Sequence, residues 1–386
     1  MLCPYCLEDC IPTIKGNEYQ CPKCKERLER EYVEKRHIPR TTIGLIGFSG
    51  HGKTAYITSL FYVLKDILMQ KSFWRDFTLV ALDKNTMAGV YDRVQFLKDG
   101  ELPPPTPLNF PRPCIVKFSG LPFEDNTYRE YFVTFYDIGG EVYGDEEHIT
   151  DKAKIIAKSI NVLFLISISD RKGNWQDRIY RLLNTYILGV RNKLKLDPKK
   201  YQNLIVVFTK ADEILDKLSG ELSNYLITGT YTCYPRLDGT LEEIDKKSRM
   251  IEQWLREQDA GGFVNLARQQ FKSVHYTVAS ALGARPDGQR LHAEIQPDDP
   301  KRVLDPFILA LNNHYPLPFR LKDWINKRAG IFLAVILAII ISIFLLMNFF
   351  GKSPPLPLKF HTSTVQHSKT NIHDTLQKPS LKGEVR

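Results

Sequence analysis

Eight residues, Gly47-Phe48-Ser49-Gly50-His51-Gly52-Lys53-Thr54, join a continuous apolar run at 42–48 to an amphipathic pattern at 55–70. In that pattern Ile57, Leu60, Phe61, Leu64, Ile67 and Leu68 fall on one helical face. A strand, a glycine-rich turn and a helix in this order leave few folds open. Glycines let successive backbone N–H groups turn inward, and the helix brings its positive N-terminus to the same point. The spacing G-x-x-x-x-G-K-[ST] is that of a loop that cradles phosphates. Gly47, Ser49, Gly50, His51 and Gly52 would supply the cradle. Lys53 would reach the β- and γ-phosphates, and the Thr54 hydroxyl would ligate Mg²⁺.

Four further short runs, at 131–136, 161–168, 204–208 and 274–278, are rich in β-branched or aromatic residues and nearly continuous in apolar character. Such runs belong to strands covered on both faces, as in parallel sheets. Residues 114–118 read as another strand, with 131–136 as an antiparallel partner across a turn at 120–126. Helical patterns at 177–190 and 241–258 alternate with these strands. The alternation predicts an α/β fold, a doubly wound and mostly parallel sheet, over residues 41–318.

Three more short patterns follow strand ends, where ligands bind in open α/β sheets. Asp137-Ile138-Gly139-Gly140 places a carboxylate near a metal and an amide, that of Gly140, near a γ-phosphate. Thr209-Lys210-Ala211-Asp212 suits a guanine: Asp212 accepts from the base N1 and exocyclic amine, and the Lys210 stem packs on the ring. Ser280 and Ala281 offer a backbone N–H to the guanine carbonyl. With the loop at 47–54, the set resembles the G1, G3, G4 and G5 motifs of the P-loop GTPase superfamily. That resemblance implies GTP and Mg²⁺ binding and slow hydrolysis to GDP. ATP is the alternative nucleotide, and Asp212 argues against it.

The resemblance also implies a threonine on the metal, between the first helix and the strand at 114. Thr106, in the proline-rich stretch 101–107, is the expected residue, with Thr86 as the alternative. Many relatives orient the attacking water with a glutamine directly after D-x-x-G; here that position is Glu141, so binding is the firmer expectation and turnover the weaker one. A GTP-gated scaffold without significant hydrolysis remains the other reading. Segments 71–113 and 213–272 exceed a minimal G domain. They are expected to decorate it, and they resemble insertions in large bacterial GTPases of the double-GTPase kind.

Cys3-Pro4-Tyr5-Cys6 and Cys21-Pro22-Lys23-Cys24 are two CPxC turns, each able to present two thiolates from one side. Four thiolates satisfy tetrahedral Zn²⁺. The pattern predicts a small zinc ribbon over 1–40 with a hairpin at Gly16-Asn17 and with Cys10 as a bystander. Redox use of the CxxC turns lacks the βαβ context it needs. The ribbon carries eight basic and seven acidic residues, so no basic stripe suits a nucleic acid, and docking is expected instead.

Residues 331–350 are twenty uncharged residues, about 30 Å as a helix, which matches a bilayer core. The formal net charge of +9 is concentrated around this run. Residues 320–328 hold four basic residues against one acidic, and the polar tail 351–386 holds six against two. Charge placed so points to a membrane. The expectation is one transmembrane helix at 331–350, with the G domain in the cytoplasm and a flexible tail beyond it. A protein partner or self-association is expected to raise turnover.

Overall fold

The computed structural model describes residues 1–104, 113–123, 129–140, 154–167, 174–288, 290–291 and 293–312, together with Ser342. Two sheets form. The small one is a three-stranded antiparallel sheet of β1 (Thr13–Lys15), β2 (Glu18–Gln20) and β3 (Arg27–Leu28), turned at Gly16-Asn17 and followed by a short helix, α1 (Arg30–Glu34).

The large sheet contains β4 (Arg40–Ile46), β5 (Thr78–Ala81), β6 (Cys114–Leu121), β7 (Arg129–Asp137), β8 (Asn161–Ser167), β9 (Asn203–Thr209) and β10 (Ser273–Val278), in the order β10-β9-β8-β4-β7-β6-β5. The first four neighbouring pairs are parallel, and β6 runs antiparallel to both β7 and β5. The apolar runs behave as parallel strands should: Leu204 to Phe208 are each fully buried, as are Val162, Phe164 and Leu165. β4 lies between β7 and β8: after it the chain runs through β5, β6 and β7 on one side and then crosses to β8 on the other. That split opens a crevice beyond the strands' carboxyl ends.

Helices cover both faces. α2 (Lys53–Tyr62) continues through a wider turn at Val63–Met69, where Gln70 N–H donates to the carbonyl of Lys65 rather than Asp66. α3 (Lys84–Lys98), α4 (Lys154–Lys158), α5 (Trp175–Leu188), α6 (Pro198–Tyr201), α7 (Gly220–Ile227), α8 (Leu237–Glu257), α9 (Gly261–Gln270) and α10 (Asp305–Asn312) complete the layers.

The two long segments do more than decorate. Segment 71–113 supplies β5, a seventh strand, and α3, whose Val90, Val94 and Leu97 are buried. The sequence understates β5 because Val80 points outward and is 45% exposed while Leu79 is buried. Segment 213–272 supplies α7, α8 and α9; Leu222, Trp254, Leu255, Phe263 and Val264 join the same core as β8 and β9.

Three hydroxyls along one face of α2 tie it to the chain's later part. Tyr56 donates to the Val303 carbonyl, Ser59 to that of Ala281 and Tyr62 to that of Ile295. Nearby, Asp305 is fully buried and accepts from the hydroxyls of Tyr225 and Tyr234, each at 2.5 Å. Arg302 lies 3.5 Å above the Tyr225 ring and donates through Nε to the Tyr225 carbonyl. Burial pushes the Asp305 carboxyl up to about 6, against the pull of Arg302 and the two tyrosines.

Among the described residues no helix is long and apolar enough to cross a membrane. The expected span, 331–350, lies outside the described residues except for Ser342.

Arg302→Met removes the cation whose charge acts on buried Asp305. It also removes the donor to the buried Tyr225 carbonyl, and the expected loss is about 1.5–3 kcal/mol of unfolding free energy, read as a lower denaturant midpoint at unchanged m-value. A midpoint within error of wild type would show that Asp305 does not depend on Arg302.

Candidate functional site

β4 ends at Ile46 and the chain turns at Gly47 into the loop. Gly52 closes the turn at φ +74°, a left-handed conformation that L side chains resist, and α2 begins at Lys53. The Lys53 ammonium is 7% exposed and curls back over the loop, donating to the carbonyls of Gly47 (2.8 Å) and Phe48 (3.1 Å). On the other side Thr209 Oγ1 lies 2.9 Å from the His51 carbonyl. Lys53 and Thr209 thus occupy the carbonyls of Gly47, Phe48 and His51 from outside the turn, and within it the His51 N–H donates to the Phe48 carbonyl.

Gly140 packs directly on this loop. A Cβ there would collide with the backbone of Phe48 and Ser49, so only glycine allows the approach. Beyond β9, Lys210 adopts φ +52°, and the Ala211 N–H donates to the Ala279 carbonyl, joining the loop after β9 to that after β10.

A cavity of about 300 Å³ opens where these segments meet. Its walls include Ser49, Gly50, Gly52, Lys53 and Thr54, then Gly139 and Gly140, then Thr209, Lys210 and Asp212, then Ser280 and Ala281. Its size lies at the lower end of the range for small-molecule sites.

Some expected residues have other work. The His51 ring is buried: Nδ1 is 3.1 Å from the Leu165 carbonyl, and the ring stands edge-on to Phe48. It anchors the loop to β8, and His51 is absent from the cavity walls. The Ser280 N–H donates to the Lys301 carbonyl and its hydroxyl accepts from the Gly283 N–H. Ser280 therefore shapes the loop, which leaves Ala281 as the better candidate for an amide contact. Asp137 stands at the end of β7, 11% exposed, with Arg93 Nη1 3.4 Å from its Oδ2; Gly139 and Gly140, not Asp137, form the wall. Thr86 is buried in α3, donating to Asp83 Oδ2 and accepting from the Ile115 N–H, so its hydroxyl ties the helix to β6, and Thr86 is absent from the cavity walls. Thr106 and Glu141 lie outside the described residues.

Sequence reasoning did not single out Leu102, Pro103, Ala284 and Pro286, which also wall the cavity. The Leu291 N–H donates to the Gly100 carbonyl, and Glu101 pairs with Arg290, so these two walls are stitched together. The proline-rich stretch after α3 was the signal for the first wall. The second carried none, because its position depends on that long-range pairing.

The residues suit Mg²⁺ and a nucleotide. Thr54, on the first turn of α2, supplies a hydroxyl and Asp137 a carboxylate; hard oxygen donors of this kind, completed by phosphates and water, are what Mg²⁺ takes.

The cysteine cluster is a second candidate site. Cys3, Cys6, Cys21 and Cys24 bring their sulfurs within 4.8 Å of one another. Cys3 and Cys24 are 3.8 Å apart and Cys6 and Cys21 3.9 Å. A tetrahedron with Zn–S bonds of about 2.3 Å has edges of about 3.8 Å, so the spacing fits zinc. The Tyr5 N–H points at Cys3 Sγ. Burial raises the Cys3 thiol, and the Cys24 thiol to about 11, while at Cys21 burial is outweighed by the N–H groups of Cys24 and Lys23, which pull the thiol down to about 6. Cys10 is buried beside the cluster but outside the four-sulfur group.

The ribbon is docked on the large sheet. Tyr136 donates to the Pro4 carbonyl, Lys158 pairs with Glu8, and Leu7 enters the main core. Tyr32 packs on Phe132 with ring centroids 5.0 Å apart, and Arg40 lies over both rings.

A family profile described as Double-GTPase 2 matches residues 41–292, from β4 past β10. No curated protein matches the chain.

The purified full-length chain is expected to carry one equivalent of zinc by elemental analysis. Stripping it should lower the main melting transition by more than about 5 °C, because the ribbon shares the core. A zinc-free preparation with unchanged melting would overturn this reading.

Proposed function

The chain belongs to the double-GTPase 2 family, and on that premise we propose that it binds GTP with Mg²⁺ in the cavity beyond β4 and hydrolyses it slowly as a membrane-anchored switch. One observation carries the reading: a single cavity is walled by residues of all four strand-end motifs, 47–54, 137–140, 209–212 and 280–281. A generic phosphate site would need only the first.

In this reading the phosphates lie on the N–H groups of Ser49, Gly50, Gly52, Lys53 and Thr54, which wall the cavity, and on the positive end of α2. Lys53, whose ammonium has three N–H donors, would add a phosphate oxygen to the carbonyls of Gly47 and Phe48 that it already serves. Thr54 and Asp137 would hold Mg²⁺, which supplies charge neutralisation between the β- and γ-phosphates. Asp212 and the Lys210 stem take the guanine, with an Ala281 amide on its carbonyl. Gly140, already on the loop, is where a γ-phosphate would be felt. Thr106 would close on the metal and Glu141 would stand where water attacks. A carboxylate there is a poor copy of a glutamine, which is why turnover is placed low and a protein partner or a second copy is assigned the task of raising it. Residues 331–350 would anchor the domain to the cytoplasmic face.

Nucleotide competition on the full-length protein in mild detergent tests the site. GTP and GDP should outcompete ATP, and Asp212→Asn should cut the guanine preference by tens-fold, the worth of a charge-assisted hydrogen bond of about 1.5–3 kcal/mol. Equal competition by ATP, unchanged by the substitution, would sink the guanine assignment. Phosphate release from the same samples decides hydrolysis: no turnover above background at any protein concentration leaves a GTP-gated scaffold.

Liposome flotation tests the anchor. The full chain should float with vesicles, and a chain lacking 331–350 should stay at the bottom. Equal partitioning of both would remove the membrane from the account.

A further inference from the structure

Arg93 lies on the inward side of α3. The buried residues of that helix are Thr86, Val90, Val94 and Leu97, and position 93 shares their stripe, seven residues after Thr86 and four before Leu97. A guanidinium on a core-facing stripe needs an anionic partner. Its partner is Asp137: Arg93 Nη1 is 3.4 Å from Asp137 Oδ2, with the two side chains 27% and 11% exposed.

The helix is fixed at both ends. At its start Asp83 caps the Thr86 N–H, and the Thr86 hydroxyl takes the Ile115 N–H of β6. At its end the Glu101 N–H donates to the Phe96 carbonyl and the Leu291 N–H to that of Gly100. Arg93 can therefore leave Asp137 by a change of rotamer, while its backbone stays.

We propose that Arg93 tunes the metal site through Asp137: it competes with Mg²⁺ for the Asp137 carboxylate, and Mg²⁺ binds by displacing its guanidinium. This rests on the reading of the cavity as a GTP site. One carboxylate cannot serve a guanidinium and a divalent cation equally, because the two cations repel each other at that range. The pair therefore opposes Mg²⁺. When Mg²⁺ is scarce the same pair keeps the Asp137 charge from repelling the phosphates. Both effects act in one direction on the linkage: Arg93 reduces the factor by which Mg²⁺ tightens nucleotide binding, and by reciprocity the factor by which nucleotide tightens Mg²⁺. The site would hold its nucleotide through a wider range of Mg²⁺ than one without Arg93.

The test is a Mg²⁺ titration of N-methylanthraniloyl-GDP affinity on the full-length protein, in chelator-free buffer so that the cysteine cluster keeps its metal. Wild type, Arg93→Gln and Arg93→Lys are compared. In Arg93→Gln the ratio of Mg²⁺-saturated to Mg²⁺-depleted affinity should rise about two- to five-fold, the worth of a partly exposed ion pair. The Mg²⁺ concentration at half-saturation should fall by a similar factor. Arg93→Lys keeps the charge and should stay near wild type; a purely packing role would make both variants alike and leave the ratio alone. If Arg93→Gln does not fold, Arg93→Met carries the same expectation. An unchanged or smaller ratio with nucleotide still bound overturns the role of Arg93 alone. Failure of the wild-type protein to bind the GDP analogue at any Mg²⁺ concentration overturns the nucleotide reading and this inference with it.

Discussion

The Thr209 hydroxyl meets the His51 carbonyl at 2.9 Å, across 158 residues of sequence. The loop at 47–54 can turn its N–H groups toward a ligand only if its carbonyls, which then face the protein, find donors there. Lys53 serves those of Gly47 and Phe48, and Thr209 serves that of His51. The His51 ring reaches the Leu165 carbonyl on β8, and Gly140 closes on the loop from β7. The loop is thus held from three neighbouring strands.

The same logic extends to α2. Its amino end carries the loop, and its hydroxyls at Tyr56, Ser59 and Tyr62 grip carbonyls between Ala281 and Val303. Movement of the loop after β10 is therefore coupled to the helix that starts at Lys53. The Asp305, Tyr225, Tyr234 and Arg302 group locks that later segment to α7, so the long insertion after Asp212 is part of the frame that holds the site.

The ribbon reaches the same strand that carries Asp137. Tyr136 points to the Pro4 carbonyl between Cys3 and Cys6, and Asp137 follows it at the strand end. Side chains alternate along a strand, so neighbours face opposite ways. One face of β7 is thus committed to the cysteine knuckle while its end is committed to the site.

Features that depend on a few adjacent residues were legible without a structure. Gly52 at φ +74°, the paired CPxC turns and the continuous apolar runs state local backbone demands, and those demands place a strand, a turn and a helix in order. The α/β class followed from their alternation. Partners chosen across long separations were not legible. The His51 ring reaches the Leu165 carbonyl, Thr86 ties α3 to β6, and Arg93, which the sequence did not single out, meets Asp137. The insertions read as decoration because their apolar residues are spaced for faces whose partners lie elsewhere in the chain. The sequence alone determined which backbone conformations and which ligand-bearing atoms the protein has. The tertiary structure decided which of those atoms face the cavity, because a hydrogen-bonding group takes whichever partner folding brings within about 3 Å, and sequence spacing does not encode that distance.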